Sequence, residues 1–280
     1  MQVTEGRIFS QDQIRDLLYT DTDEPIDYQG MRDRFVNPRS TLNVEHLIGD
    51  LNERSSRIKA LQIFKSSQER IIGTFIHGKV GGLIFDAFHN PTVNAIMDIK
   101  SLGGHERVGL FSIVTTLTAV RYMIDESALG SAADLSNLAG QCFIQLPLNV
   151  DAKRALSKNF WSLDKQGNAI TQFFIPEPNS SLNKLVADAL VTKPYTLLAG
   201  TSANFTGVGS LVNPVQAASF CIGNSIYWLD DKSVPASQRG SFTTIKILDG
   251  IVTEERTGNM PFEKLREKIK IPQSNTPVVA

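Results

Sequence analysis

The sequence predicts an α/β fold built on a mixed sheet with flanking helices. Two observations carry this prediction. Short apolar runs rich in β-branched and aromatic residues alternate along the chain with segments of helical period. The 280 residues, 41% hydrophobic and 20% charged, also have the composition of an ordinary globular protein large enough to bury its own core.

Taken in order, residues 11–19 read as a short helix capped by Ser10, and residues 21–39 as a polar, turn-rich stretch. Residues 44–50 read as another helical piece. Residues 1–60 are therefore expected to form an N-terminal extension, residues 61–272 the main domain, and residues 273–280 a tail. In the main domain the runs at 59–64 and 70–76 read as strands. Residues 91–99 have apolar positions at 93, 96, 97 and 99, preceded by Asn90 as cap and with Pro91 at the first turn, so a helix is predicted. Strand 109–115, helix 117–124, strand 171–175 ended by Pro176, helix 182–190 and strand 195–199 follow. Strands at 225–229 and 242–248 and a closing helix at 261–269 complete the set.

Several function classes receive no support. The net charge of −1 gives no reason to expect a polyanionic partner. Residues 1–12 are polar, so no signal peptide is expected, and no apolar run approaches the roughly 18 residues of a membrane span. A cytoplasmic protein is the expectation. Cys142 and Cys221 sit in apolar surroundings and read as buried, reduced thiols. His77, Asp86 and His105 lack any metal-site spacing, so no protein-held metal is expected.

The most informative stretch is residues 197–207, Leu-Leu-Ala-Gly-Thr-Ser-Ala-Asn-Phe-Thr-Gly. It reads as a buried strand stopping at Gly200, followed by small polar residues. Free backbone N–H groups, hydroxyls and an amide at a strand end suit phosphate oxygens, and they equally suit a plain turn. The segment resembles the S-T-S-A-N-x-S-G signature of the YrdC/Sua5/YciO family. Other landmarks of that family have counterparts in the same order: Gly-Leu-Ile-Phe-Asp-Ala at 82–87, the helix ending in Lys100, and the strand beginning near Val108. Phe-Phe-Ile-Pro at 173–176, Thr-Thr-Ile-Lys-Ile-Leu-Asp-Gly at 243–250 and Glu-Arg-Thr-Gly at 255–258 continue the series.

The resemblance implies a twisted open mixed sheet around a concave cleft. It also implies an ATP-dependent nucleotidyltransferase of threonylcarbamoyl-AMP synthase type, acting on threonine and bicarbonate with Mg2+ and linked to tRNA modification. Lys100 would contact phosphate as the catalytic cation, Ser202 and Asn204 would hold the nucleotide, and Thr244 and Arg256 would line the same cleft.

Departures from the family fall at the chemistry. The family's P-T-x-T threonines align with Ile76 to Lys79, placing His77 and Lys79 at the substrate end. Its two phosphate-holding arginines align with Leu102 and Phe174, and an aspartate with Lys246. An arginine fork binds phosphate bidentately, and leucine or phenylalanine cannot. His77, Lys79, His105 and Arg107 are candidates to restore the charge, as are Arg32 and Arg34 if residues 21–39 lie across the cleft. The alternatives to an active synthase are a nucleotide- or RNA-binding protein that no longer turns over, and a carbamoyltransferase for another small molecule.

Overall fold

The computed structural model describes residues 47–66, 70–101, 109–129, 135–192, 196–204, 206, 209–231 and 235–269. The readings at 11–19 and 21–39, and residues Leu102, His105 and Arg107, lie outside them. Among the described residues the elements run β1 (Ile48–Asp50), α1 (Arg54–Phe64), β2 (Ile71–Ile76), β3 (Val80–Asp86), α2 (Asn90–Ser101) and β4 (Ser112–Val114). Next come α3 (Leu117–Met123), β5 (Phe143–Pro147), α4 (Val150–Ala155), β6 (Trp161–Leu163), β7 (Ala169–Phe174), α5 (Ser181–Val191) and β8 (Leu198–Ser202). The last are α6 (Pro214–Gly223), β9 (Tyr227–Asp230), β10 (Thr244–Leu248), β11 (Ile251–Arg256) and α7 (Phe262–Lys268).

All the strands join one mixed sheet in the order β1-β9-β2-β3-β8-β4-β7-β5-β10-β11. Parallel pairs (β1 with β9, β9 with β2, β4 with β7, β5 with β10) are interspersed with antiparallel ones, as the α/β reading requires. β7 is the pivot. β5 pairs along most of one side, while β6 and β4 share the other side end to end, β6 beside residues 169–171 and β4 beside residues 172–174.

Helices cover both faces. On one, Ala60 and Phe64 of α1 and Leu182, Leu185, Val186 and Ala189 of α5 pack over Ile72, Ile84 and Leu198. On the other, Val93, Ile96 and Ile99 of α2 and Ala217, Phe220 and Cys221 of α6 pack over Phe75, Leu83, Phe85 and Trp228. α1 and α5 leave the β4-β7-β5 side of their face uncovered, which is where the cleft lies.

Three sequence readings are corrected. Residues 59–64 are the last turns of α1, not a strand: the buried positions are Ser56, Ala60 and Phe64, four apart, whereas the apolar run alone is too short to separate the two periods. In the stretch 44–50, Ile48–Asp50 is a strand pairing with β9, a three-residue element too short to show its period. The 197–202 strand does not stop at Gly200. Ladder pairs Leu83–Thr201 and Gly82–Ser202 carry it to Ser202. Residues 48–64 thus give the body a strand and a helix. β3, β5, β6, β11, α4 and α6 are additions to the sequence reading. α6 is buried along 217–223 with no polar stripe, so its sequence hides the helical period.

Both thiols are free and buried, as read. Burial pushes Cys142 up to about 12, with nearby Lys268 opposing, and raises Cys221 as well. No helix among the described residues is long and apolar enough to cross a membrane.

Candidate functional site

The cleft has a volume of about 460 Å3 and opens over the middle of the sheet. Its floor follows from strand alternation: residues two apart on a strand share a face, and paired residues on neighbouring strands stand side by side. One row across the sheet reads Gly200, Ser112, Gln172, Gln145, Lys246. The adjacent row reads Leu198, Val114, Phe174, Phe143, Thr244, Arg256. The cleft floor takes Gly200, Ser112, Gln172 and Gln145 from the first row and Val114, Phe174 and Phe143 from the second, a polar stretch laid beside an apolar one.

In the polar row, Gln172 Nε2 donates to Ser112 Oγ at 2.5 Å. Lys246 is paired with Glu255 at 3.2 Å, so its charge is matched before any ligand arrives. In the apolar row, Phe143, Phe174 and Phe242 form a triangle of rings with centroids 4.9 to 5.7 Å apart. Phe174 and Phe242 are fully buried and Phe143 is half-buried. Arg256 stands at the rim. Its guanidinium turns inward, with Nη2 donating to the Phe242 carbonyl at 3.0 Å and Cζ 5.9 Å from the Phe143 ring. Burial of that end lowers its pKa, and the group stays charged.

At one end of the cleft, Ser202 closes β8, and here the sequence motif comes together. Lys100, in the last turn of α2, is 2% exposed, so its ammonium must be satisfied by protein groups. Its Nζ donates to Asn204 Oδ1 at 2.6 Å, to the Ser202 carbonyl at 2.8 Å and to Ser202 Oγ at 3.2 Å. Ser202 Oγ also donates to Asn204 Oδ1 at 2.5 Å, and Asn204 Nδ2 donates to the Gly209 carbonyl at 3.2 Å. Ser202 lines the cleft wall directly, while Lys100 and Asn204 stand behind it. The segment 102 residues away along the chain is thus the lysine's immediate partner.

The other predicted residues are spread more widely. Thr244 pairs with Arg256 but is 2% exposed and does not line the cleft. His77 and Lys79 sit at the tip of the β2–β3 hairpin and do not line the cleft either. His77 has φ of 47°, its ring lies 5.5 Å from Phe174, and its Nε2 accepts from the Glu177 N–H at 3.2 Å. Burial above all, and then Lys79, lower its pKa from 6.5 to about 4, so at neutral pH it is an uncharged acceptor. Lys79 lies 5.4 Å from the Phe242 ring, and burial lowers its pKa too, with Glu177 opposing and Lys268 adding to the effect. The hairpin thus braces the aromatic triangle from outside. His89 contacts Thr92 Oγ1 at 2.7 Å, a local contact in the first turn of α2.

Sequence reasoning did not find Ser112, Gln145, Gln172, Phe143 or Phe242. The signal for two of them was present: a glutamine in an otherwise apolar or β-branched strand, in Phe-Ile-Gln-Leu-Pro and in Ala-Ile-Thr-Gln-Phe-Phe, marks a polar group on a sheet face. Gly258 explains the glycine closing its motif. A Cβ there would lie 2.2 Å from Thr243 N and 2.4 Å from Phe242 C, so backbone packs on backbone beside the cleft wall.

Neither a family model nor a curated protein sequence matches this chain. Solved structures do. P. abyssi Sua5 complexed with L-threonine superposes with a TM-score of 0.57 and 17% identity, covering 80% of this chain and 61% of that one. E. coli YciO gives 0.53 and 13%, covering 75% and 93%. Full-length HypF in its phosphate- and nucleotide-bound form gives 0.53 and 10%, covering 74% and 24%. The chain has the Sua5 and YciO fold. It spans about three fifths of the length of the Sua5 chains it matches. In this Sua5/YciO fold the floor position expected to carry an arginine holds Phe174, packed among aromatic rings rather than presenting a charge.

Proposed function

We propose that the cleft binds an adenine nucleotide and that the chain is an ATP-dependent nucleotidyltransferase of threonylcarbamoyl-AMP synthase type, forming a carbamoyl adenylate. The observation that carries this reading is the Lys100–Ser202–Asn204 cluster at the end of β8, where a buried ammonium backs a hydroxyl that faces the cleft. A positive charge fixed at a strand end suits phosphate oxygens. Arg256 at the rim supplies a second cation. The ligands seen with other proteins of the fold, L-threonine on Sua5 and phosphate and nucleotide on HypF, support ligands of these kinds.

In the proposed reaction a carbamate oxygen, from threonine and bicarbonate, attacks the α-phosphorus of ATP. The bond from that phosphorus to the bridging oxygen breaks, and pyrophosphate leaves. Ser202 and Arg256 would hold phosphate oxygens in place during the displacement, with the Lys100 charge acting on them from behind Ser202. No group of three His, Cys, Asp or Glu side chains converges among the described residues, so Mg2+ would enter on the nucleotide, held by its phosphates and water.

A second reading, a protein that binds a nucleotide or an RNA end without turnover, is favoured by Phe174 at the floor. Pyrophosphate release from Mg-ATP, measured with and without threonine and bicarbonate, separates the two. The synthase reading expects release that needs both co-substrates and falls at least about tenfold in Lys100→Ala. Saturable ATP binding with no release leaves the second reading. Full activity in Lys100→Ala overturns the assignment of the site.

A further inference from the structure

The overall charge of −1 conceals a local arrangement on the face of the sheet turned away from the cleft. Alternation along β6 sends Ser162 to the cleft, and Trp161 and Leu163 to the opposite face. α4 lies over that opposite face. Lys153 Nζ stands 5.1 Å from the Trp161 ring centroid, and Trp161 Nε1 donates to the Leu156 carbonyl at 3.1 Å. Val150 precedes Lys153 by one turn on the same side of α4. α3 ends beside it: Asn149, the cap of α4, donates its N–H to the Met123 carbonyl at 3.0 Å and its Nδ2 to the Tyr122 carbonyl at 2.8 Å. Three large apolar side chains are left in solvent here, Tyr122 at 79%, Val150 at 61% and Leu163 at 56% exposure. Around them stand Lys153, Arg154, Lys158 and Lys165, none in an ion pair among the described residues. Lys158 Nζ lies 3.3 Å from the Trp161 ring centroid, so two ammoniums share one indole. Of the nearby carboxylates, Asp164 is turned into its own loop, accepting from the Gln166 and Asn168 N–H groups and from Asn168 Nδ2. Asp151 borders the patch on α4, and Asp125 and Glu126 lie past the end of α3, where the Asp125 N–H meets the Pro147 carbonyl.

We propose that this face docks on a membrane surface carrying anionic lipids, with Tyr122, Val150 and Leu163 entering the headgroup layer and the four cations meeting the lipid headgroups. Peripheral attachment of this kind adds the burial of apolar side chains to the attraction between Lys or Arg and an anionic leaflet. Long basic side chains suit the boundary, since their stems stay with apolar groups while their heads reach charge and water. The aliphatic side chains decide between a bilayer and a nucleic acid. Val150 and Leu163 offer no group to a phosphate or a base edge, and an RNA strand would leave them in water, whereas an acyl boundary takes their surface out of it. A strand held here would also lie on the side of β6 opposite to the cleft. A second copy of the chain fits poorly, because a two-fold pairing would set four unpaired cations against four. Docked through α4 and β6, the protein keeps its cleft open on the side facing away from the bilayer. The inference goes beyond the nucleotide reading and stands on none of its residues.

The full chain is sedimented with vesicles of phosphatidylcholine alone and with vesicles of equal parts phosphatidylcholine and phosphatidylserine. It is also titrated with a fluorescein-labelled single-stranded oligoribonucleotide. The expected result is at least about tenfold more protein retained on the mixed vesicles than on phosphatidylcholine. Retention should fall at least about fivefold when Lys158→Glu is combined with Lys165→Glu, and likewise when Val150→Ser is combined with Leu163→Ser. Lys264→Glu, the same charge change on α7, should retain as the wild type does. All five of these side chains are exposed, and the thermal melt of each variant checks that it folds. No retention of the wild type, or equal retention on the two kinds of vesicle, overturns the proposal without recourse to any variant. Retention that survives in both double variants, or that falls as far in Lys264→Glu, overturns the assignment to this face. Binding of the oligoribonucleotide that the two glutamate changes abolish, with no retention on vesicles, gives the face to a nucleic acid instead.

Discussion

At the residue scale, His77 shows how burial converts a titratable group into a structural acceptor. Its Nε2 takes the Glu177 N–H, and burial lowers its pKa from 6.5 to about 4. The unfolded chain therefore binds a proton that the folded chain refuses. The stability owed to neutral His77 is complete above pH 6.5 and drains away as pH falls toward 4, by up to about 3 kcal/mol. In His77→Asn, which keeps a residue tolerant of positive φ, urea midpoints at pH 7 and pH 4.5 should lie closer together than in the wild type. An unchanged gap would remove His77 from the acid response. The same residue marks a limit of sequence reasoning. His77 and Lys79 were legible as unusual at a strand end, but only the hairpin's path shows that they brace the Phe174 and Phe242 rings from outside. Lys100, Ser202 and Asn204 were legible because a motif fixes their types and order, and the sheet then brings them within hydrogen-bonding distance.

At the element scale, α6 packs on β2 and β9 through a contact that admits no added atom. A Cβ on Gly73 would lie 2.2 Å from Cys221 Sγ and 3.0 Å from Trp228 Cε3. Gly73→Ala should lower the unfolding free energy by about 1–3 kcal/mol through overpacking, with Cys221 or Trp228 displaced. Chemical denaturation with tryptophan fluorescence measures both, and an unchanged midpoint would mean the helix is free to slide. α6 was the longest element that sequence reading did not find, for the reason that makes this contact tight: it is buried all round. Strands with clean runs, such as β2 and β10, were legible, while β1 and β6 at three residues each carry too few positions to show a period. The cleft floor was illegible for another reason. It depends on register between strands far apart in sequence, which no local pattern encodes.

At the scale of the whole molecule, the sheet starts earlier than the domain boundary drawn from composition. β1 pairs with β9, and Ala60 and Phe64 of α1 help to fill the core under α5. A chain beginning at residue 61 should lose most of that layer and be recovered insoluble or with a melting temperature lower by more than about 10 °C, whereas one beginning at residue 47 should fold. Equal melting of the two would make β1 and α1 dispensable. The two ends of the same sheet carry a consequence for handling the protein. Among the described residues, one end is a strand of only three residues. The other is β11, bent by a register shift opposite Thr244 and Ile245 and charged at Glu254, Glu255 and Arg256. Short, kinked or charged borders are poor templates for another chain to add onto. An eleven-strand sheet so bordered should stay dispersed at high concentration, instead of polymerising strand to strand into fibrils.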